Sequence, residues 1–314
     1  MSLVEIALKK MQARGSNDRA QRKAVRAAET GSQPSRLAPG VVGELVHTGA
    51  PVVLERPVGA PAPVYRTDKL IRVDRQALRM AGLMPPEHQE RALADQYRQI
   101  KRPLLAQAFG RGAQAMPKGQ LVMMASAMPG EGKTFTSINL ALSMALEKDV
   151  SVLLVDADVA KPHISSTFGI ADEPGLLDLL REESAQVDSF IIPTDVPGLS
   201  ILPAGRRSDT ATELLASRRM EQITQSLAQR DPTRISLIDS PPLLLTSESR
   251  ALAQSAGQIV VVVRAGYTPQ QAVLDALSHL GEGKFIGLVL NQSTAAAPGG
   301  YYYQYGQVER AAAT

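Results

Sequence analysis

Short apolar runs alternate with stretches of helical periodicity from residue 121 onwards. The pattern predicts strands at 121–126, 150–156, 199–202, 235–239, 258–264 and 285–290, and helices at 134–148, 173–182, 211–230, 247–255 and 269–281. The runs 151–155 and 259–263 are apolar nearly throughout, as expected for strands that are covered on both faces. The alternation therefore predicts an α/β fold with a doubly wound, mostly parallel sheet, whose ligand binds at the carboxyl ends of the strands.

Upstream of this region the apolar pattern is weaker. Residues 1–14 have the spacing of a short amphipathic helix, which should fold only against a partner or a membrane surface and so predicts a docking helix. Residues 15–85 are rich in Ser, Gly, Pro, Ala and Arg and predict a largely disordered basic linker. We expect a folded domain over 86–295, with a helix near its start that is kinked or broken at Pro103. Residues 296–314 are expected to form a flexible tail.

Composition narrows the class of protein. At 314 residues and 44% hydrophobic content, the chain can bury one sizeable core. The absence of cysteine excludes a disulfide scaffold. The longest apolar run, Ile259–Val263, is far shorter than the roughly 20 residues that cross a bilayer. No hydrophobic core follows Lys9 and Lys10, so we expect no signal peptide and a soluble or peripheral protein.

The net charge of +3 is unevenly distributed. Residues 1–75 hold thirteen Lys and Arg against seven acids. Such a basic arm could contact anionic lipid or nucleic acid, although a solvated linker has the same composition. With five Phe, seven Tyr and no Trp, aromatic platforms for base stacking are scarce, and we expect no nucleic-acid partner.

The segment Ala127–Thr134 matches the phosphate-binding pattern G-x-x-x-x-G-K-[ST] at every fixed position except the first, where Ala127 replaces glycine. A predicted strand precedes it and a predicted helix follows, so backbone N–H groups, the helix N-terminus and Lys133 can surround an anion. An ordinary strand-to-helix turn is the alternative. The residues expected to contact a nucleotide are Pro129, Gly130, Glu131, Gly132, Lys133, Thr134 and Phe135.

Three aspartates, Asp156, Asp158 and Asp239, follow predicted strands. Alone, an aspartate in such a position is commonly a helix cap or a turn former. Mg²⁺ prefers hard oxygen ligands, and a further carboxylate beside a nucleotide can accept a proton from an attacking hydroxyl. In combination with the phosphate loop, the three acids predict Mg²⁺–nucleotide chemistry.

A tyrosine cluster lies close to the end of the chain and follows the turn-forming run 298–300. We expect these phenols to lie on a flexible tail and to accept phosphate, which adds about −1.5 to −2 charges to each. A tail that docks on an apolar groove is the alternative. The cluster holds four of the seven tyrosines, namely Tyr301, Tyr302, Tyr303 and Tyr305.

In order and spacing, these elements resemble the bacterial tyrosine kinases (BY-kinases) that govern exopolysaccharide export. The matching parts are the phosphate loop, a strand ending D-x-D, a strand ending D-S-P-P and the tyrosine cluster, and they cover about residues 86–305. The resemblance implies a P-loop NTPase fold of the partitioning-ATPase-like type, with ATP and Mg²⁺ as cofactors, and a protein-tyrosine autokinase. Asp95, Arg98 and Lys101 are similar to the family's E-x-x-R-x-x-R oligomerisation element.

The resemblance also implies residue roles. Lys133 binds the β- and γ-phosphates. Thr134, Asp158 and Asp239 hold Mg²⁺. Asp156 accepts the tyrosyl proton, although the roles of Asp156 and Asp158 could be exchanged. The tail tyrosines are expected to be phosphorylated in trans.

Some positions depart from the family pattern or keep two interpretations. Ala160 stands where the family's D-x-D-x-R motif has arginine, and Lys161, which follows it, is the candidate replacement cation. Asn291, at the end of the last predicted strand, either reads the adenine edge or forms a strand-end turn.

The partners implied by the resemblance are a membrane-embedded polysaccharide co-polymerase or chain-length regulator that activates the kinase, further copies of the chain in a homo-oligomer, and a counteracting phosphatase. Because the fused membrane-spanning half of many family members is missing, we expect a cytoplasmic protein that is peripheral at the inner face of the cell membrane through its partner.

Two other functional classes stay open. A partitioning or division-site ATPase switch would share the fold, but its loop carries a lysine where this chain has Met128. A nucleotide-binding adaptor without transfer activity would tolerate both Ala127 and Ala160.

Overall fold

The computed structural model describes residues 69–110, 116–229, 231–281 and 283–293. The docking helix 1–14, most of the linker and the tail with its tyrosines lie outside the described residues. The elements in chain order are α1 (Arg75–Met80), α2 (Glu87–Phe109), β1 (Leu121–Ser126), α3 (Lys133–Met144), β2 (Ser151–Asp156), α4 (His163–Thr167), α5 (Leu176–Arg181), β3 (Ile192–Pro193), β4 (Leu199–Leu202), α6 (Ala211–Leu215), α7 (Arg218–Gln229), β5 (Arg234–Asp239), α8 (Ser247–Ser255), β6 (Gln258–Arg264), α9 (Gln270–Ser278) and β7 (Phe285–Asn291).

The seven described strands form one sheet in the order β3-β4-β2-β5-β1-β6-β7. The strand pairs are parallel, apart from the antiparallel pair of β3 and β4. This arrangement confirms the predicted doubly wound, mostly parallel α/β fold. After β1 the chain crosses over β5 to β2, and it later returns from β5 over β1 to β6. The strand order therefore reverses beside the carboxyl end of β1, where open α/β sheets bind ligands.

Apolar composition explains most of these elements. All six residues of β1 and of β5 are buried, because helices cover both faces of the sheet. In α7 the buried residues Met220, Ile223 and Leu227 recur at helical spacing. The single helix predicted over 211–230 is two helices, α6 and α7. The Ser217 hydroxyl accepts a hydrogen bond from the Met220 N–H at 3.3 Å and so marks the start of α7.

The predicted linker extends too far towards the domain. Residues 69–85 belong to the folded body, since Ile71, Val73 and Leu78 are buried in the main hydrophobic cluster. The Asp74 carboxylate caps α1 by accepting hydrogen bonds from the N–H groups of residues 76 and 77. Only one residue of this six-residue helix is buried. A single buried position produces no hydrophobic periodicity, so the sequence pattern did not predict this helix.

Helix α2 continues through Pro103 as one element, so of the predicted kink or break the break is wrong. Proline removes one helical hydrogen bond. Lys101 and Leu104, on either side of it, are buried against the body of the domain and hold the helix in place. No hydrophobic periodicity predicted α4, the short strand β3 or the 3₁₀ turn Val187–Phe190. Within the described ranges, none of the helices combines the length and apolar character that a bilayer crossing requires.

Candidate active site

Glycine conformation shapes the phosphate loop between β1 and α3. Gly130 and Gly132 have φ values of 77° and 85°, in the left-handed region that favours glycine. A Cβ added to Gly132 would lie 2.0 Å from the Asn291 Nδ2 atom, so a larger residue requires a displacement there. Ala127 is fully buried, and it is not among the described residues with a positive φ. The backbone therefore does not need the glycine that the loop pattern has at this position.

Neighbouring strand ends hold the loop in place. The Glu131 carboxylate accepts hydrogen bonds from the Met128 N–H at 2.7 Å and from the Thr268 hydroxyl after β6. The Asn291 amide at the end of β7 donates to the Glu131 carbonyl at 2.9 Å. Glu131 is 1% exposed, so its side chain braces the loop, and a nucleotide would meet only its backbone. Asn291 matches the strand-end interpretation better than the reading of an adenine edge.

Lys133, Thr134 and Asp239 meet beneath the loop. The Lys133 ammonium lies 3.4 Å from Asp239 Oδ1 and 4.0 Å from Asp158 Oδ2. The hydroxyls of Thr134 and Ser137 donate to the two oxygens of Asp239 at 2.8 and 2.9 Å. The structure thus brings together the predicted lysine, the predicted threonine and two of the three predicted aspartates. Ser137 was missed, and its one available signal was its position one helical turn after Lys133.

Asp156 occupies the interior of the domain. It is 0% exposed, and its Oδ2 atom accepts hydrogen bonds from the N–H and the hydroxyl of Ser165, both at 2.7 Å. Burial raises the pKa of Asp156 to about 7, against the lowering effect of the Ser165 hydrogen bonds, and the charges of Asp239 and Asp158 add to the rise. Asp156 is not among the residues that line the cavity, and its role as acceptor of the tyrosyl proton stays a prediction.

Asp158 faces the cavity instead, with 13% of its side chain exposed. Burial raises the pKa of Asp158 above its ordinary value, the Lys133 ammonium opposes the rise, and the charge of Asp239 adds to it. Its partial exposure and raised pKa suit a group that accepts a proton from a bound hydroxyl. Of the two aspartates, Asp158 is therefore the one that lines the cavity, and it is the acceptor in the function proposed below.

An open cavity of about 1730 Å³ extends from the loop. Arg79 of α1 and Tyr97 of α2 line it, together with Lys161 and His163, which are exposed. Ligand pockets commonly measure about 300–1,000 Å³, so the cavity has room for a nucleotide and a second group. The predicted residues that line it are Pro129, Gly130, Glu131, Gly132, Lys133, Thr134, Phe135, Asp158 and Asn291.

The donor set beside Lys133 fits Mg²⁺ in part. Thr134 and Asp239 present a hydroxyl and a carboxylate in direct contact, which are the hard oxygen ligands that this ion takes together with phosphate and water. Among the described residues, no group of three or more His, Cys, Asp or Glu side chains could hold a metal by itself. The residues fit a metal that arrives with a phosphate ligand.

The predicted oligomerisation residues do not share one face of α2. Asp95 and Arg98 are exposed and form an ion pair with each other. Lys101 is 5% exposed, and its ammonium binds the Ser143 carbonyl and Glu147 of the same chain. Lys101 is therefore wrongly assigned to an intermolecular contact, because its partners lie within the domain.

Comparison with known proteins finds similar kinases. Residues 119–281 match the family model described as AAA domain. The putative tyrosine-protein kinase EpsB of Ralstonia nicotianae is 34% identical over 189 residues, which make up 59% of this chain and 24% of EpsB. The tyrosine-protein kinase CpsD of Streptococcus agalactiae is 29% identical over 196 residues, or 62% of this chain and 84% of CpsD.

A solved structure gives the same result. The crystal structure of the VpsO kinase domain has 30% sequence identity and a TM-score of 0.54, and the match covers 66% of this chain and 100% of that domain. The chain thus spans the whole of that kinase domain, but only about a quarter of the length of EpsB.

Proposed function

This chain belongs to the bacterial tyrosine kinases, and we propose that it acts as an ATP-dependent protein-tyrosine autokinase in exopolysaccharide polymerisation or export. Membership of a phosphate-loop kinase family implies that the chain binds ATP. The observation that carries the proposal is the convergence of Lys133, Thr134, Asp158 and Asp239 beside the phosphate loop. The tail residues Tyr301, Tyr302, Tyr303 and Tyr305 are the proposed acceptors.

The proposed transfer assigns one task to each side chain. Asp158 accepts the proton of a tyrosine phenol, whose oxygen forms a bond to the γ-phosphorus of ATP. The bond from that phosphorus to the β–γ bridging oxygen breaks, and ADP leaves. Lys133 and the loop N–H groups stabilise the charge on the phosphate oxygens. Mg²⁺, held by Thr134 and Asp239, would neutralise part of the same charge when bound.

Incubation with ATP and Mg²⁺, followed by peptide mass mapping, tests this function. We expect phosphate on the peptide that contains residues 301–305, and we expect Lys133→Met to abolish it. Lys148→Met removes an exposed lysine on the loop after α3 and is the matched control that should retain the modification. ATP turnover without tyrosine modification would support the nucleotide-dependent switch instead, and nucleotide binding without turnover would support the adaptor.

We further propose that residues 1–14 dock the kinase on a membrane-embedded polysaccharide co-polymerase that activates it, and that the exposed Asp95–Arg98 face of α2 contributes to a homo-oligomer. The family resemblance and the amphipathic spacing of the first residues support this arrangement. Deletion of residues 1–14 should release the protein from membranes and leave the affinity for ATP unchanged. Loss of ATP binding in the deletion would place the segment in the catalytic body.

A further inference from the structure

The turn that follows β6 is joined to the phosphate loop by a buried side-chain contact. The Thr268 hydroxyl donates a hydrogen bond to Glu131 Oε1. Glu131 and Thr268 are 1% and 8% exposed, so water has little access to the contact. Thr268 is not among the residues that line the cavity. Any effect of Thr268 on a bound nucleotide must therefore pass through its neighbours.

The surrounding hydrogen bonds fix the direction of this contact. The Arg264 N–H at the end of β6 donates to the Thr268 hydroxyl oxygen at 3.1 Å. The hydroxyl thus accepts one hydrogen bond and directs its own proton at Glu131 Oε1. The other carboxylate oxygen, Oε2, accepts a hydrogen bond from the Met128 N–H at 2.7 Å. Both partners of Glu131 are donors, and a carboxylate presents an acceptor to each of them.

Two neighbouring strand ends therefore hold the same residue of the loop. The turn after β6 binds the Glu131 side chain, and the Asn291 amide at the end of β7 donates to the Glu131 carbonyl at 2.9 Å. The Ala265 N–H donates to the Asn291 carbonyl at 2.9 Å and so links the two strand ends to each other. Glu131 lies between Gly130 and Gly132, which have the conformational freedom of glycine. Its position therefore depends on these contacts.

We propose that Thr268 is a positioning residue for ATP, which acts through Glu131 and keeps the N–H groups of the phosphate loop in their binding conformation. A binding site requires its groups to be held within about 0.5 Å of the productive geometry. When the competent conformation is only partly populated, the apparent affinity falls in proportion. The inference rests on the proposed function, because it takes ATP as the ligand. It extends the control of nucleotide binding to a turn outside both the loop pattern and the cavity.

Thr268→Val removes the hydroxyl and keeps a β-branched side chain, whereas Thr268→Ser keeps the hydroxyl. Titration of the full chain with a fluorescent ATP analogue and Mg²⁺ should show affinity about two- to tenfold weaker for Thr268→Val, the effect of one ordinary hydrogen bond. Thr268→Ser should bind the analogue as the wild type does. In kinase assays Thr268→Val should raise the KM for ATP more than it lowers kcat, because it weakens binding and leaves the reacting groups in place.

Thr224→Val is the matched control. It removes a fully buried hydroxyl that donates to the Met220 carbonyl at 3.0 Å within α7. Thr224 is not among the residues that line the cavity, and this variant should leave the affinity for the analogue unchanged. Should Thr268→Val fail to fold, Thr268→Ala provides the same comparison, because it removes the hydroxyl without placing a second methyl group against Glu131.

A double-mutant cycle separates the contact with the loop from the turn itself, since Thr268→Val also removes the acceptor of the Arg264 N–H. Glu131→Met removes both carboxylate oxygens. In the Glu131→Met background, Thr268→Val should cause no further change in affinity for the analogue, because the contact between the two side chains is already absent.

Wild-type affinity in Thr268→Val, an equal loss in Thr224→Val, or an undiminished effect of Thr268→Val in the Glu131→Met background would overturn the positioning role. A wild-type chain that binds no analogue would overturn the proposed function as well. Normal binding of the analogue without tyrosine phosphorylation would overturn only the proposed kinase activity, so the two failures are distinguishable.

Discussion

At the scale of single residues, the D-x-D motif places one carboxylate in the interior of the domain and the other at the cavity. Asp156 is the last residue of β2, where the strand is still covered on both faces, and its carboxylate turns to Ser165 of α4. Asp158 comes after the strand has ended, and its carboxylate reaches the cavity and Lys133. Asp156 and Asp158 are only two positions apart, but one contacts α4 in the interior and the other is the proposed proton acceptor.

Asp158→Asn should lower kcat for tyrosine phosphorylation by about 10²- to 10⁴-fold, the usual contribution of a general base. The affinity for ATP should change little by comparison. In the wild type the base must be ionised, and the pKa of Asp158 is raised. Activity should therefore fall with decreasing pH at a higher pH than for an ordinary carboxylate. Single-turnover assays across pH provide the measurement, and an acid limb unchanged in Asp158→Asn would refute the assignment.

The buried Asp156 should make folding stability depend on pH. Its pKa is about 7 in the folded state, and the ordinary pKa of an aspartate is 3.8. Between these values the folded state binds more protons than the unfolded state, so its contribution lowers the free energy of unfolding as pH rises from about 4 to about 7. Asp156→Asn should remove this slope, as measured by denaturant unfolding at several pH values. Parallel pH profiles for the variant and the wild type would contradict this environment of Asp156.

At the scale of elements, the two phosphate-loop glycines with positive φ differ in the space available for a side chain. Gly130 and Gly132 both have positive φ, but a Cβ on Gly130 meets nothing within 4 Å, while a Cβ on Gly132 meets the Asn291 amide. Gly130→Ala should cost about 1–2 kcal/mol of stability through strain alone. Gly132→Ala should in addition lower nucleotide affinity by about tenfold or more, because it displaces the brace from β7.

Asn291→Ala in the Gly132→Ala background provides the control, since it removes the atom that an added Cβ would strike. The double variant should bind nucleotide better than Gly132→Ala alone, a coupling that a double-mutant cycle measures. Additive effects of the two substitutions would show that the contact between Gly132 and Asn291 does not limit the loop.

Helix α1 allows the corrected domain boundary to be tested in the full chain. Leu78 is 2% exposed and Met80, on the same helix, is 85% exposed. Leu78→Ala should lower the free energy of unfolding by about 2–5 kcal/mol, as expected for a truncated core residue. Met80→Ala should change it by less than about 0.5 kcal/mol. Chemical denaturation measures both. If neither variant changed the free energy of unfolding, residues 69–85 would belong to the linker and not to the folded domain.

Sequence patterns predicted the elements whose signal is local and missed the contacts that depend on packing. The strands were visible because burial on both faces makes a run such as Ile259–Val263 uniformly apolar. The phosphate loop could be predicted because phosphate binding requires particular residue types at a fixed spacing. The inward direction of Lys101 and the separation of Asp156 from Asp158 were not visible. Both depend on contacts with a neighbouring helix. Lys101 binds the Ser143 carbonyl of α3, and Asp156 accepts a hydrogen bond from Ser165 of α4.

At the scale of the whole molecule, the sheet connects the site to the point where the tail begins. Asp158 follows β2, Ser293 follows β7, and both residues line the same cavity. In the sheet, β2 and β7 are separated by β5, β1 and β6, which corresponds to roughly 19 Å at the usual strand spacing. An extended segment of eight residues spans about 26–29 Å, so the tail that reaches Asp158 can come from the same chain or from a neighbouring chain, and the family resemblance implies the neighbour.

We therefore predict that phosphate is transferred between chains. A chain with Lys133→Met keeps its tail but should not transfer phosphate, and a chain truncated after residue 293 keeps the described site but has no acceptor cluster. When the two are mixed with ATP and Mg²⁺, the Lys133→Met chain should become phosphorylated within residues 301–305, at a rate that increases with protein concentration. Peptide mass mapping of the mixture and of each chain alone is the measurement. If the mixture stays unmodified while the wild type phosphorylates itself at a concentration-independent rate, the tail serves its own active site.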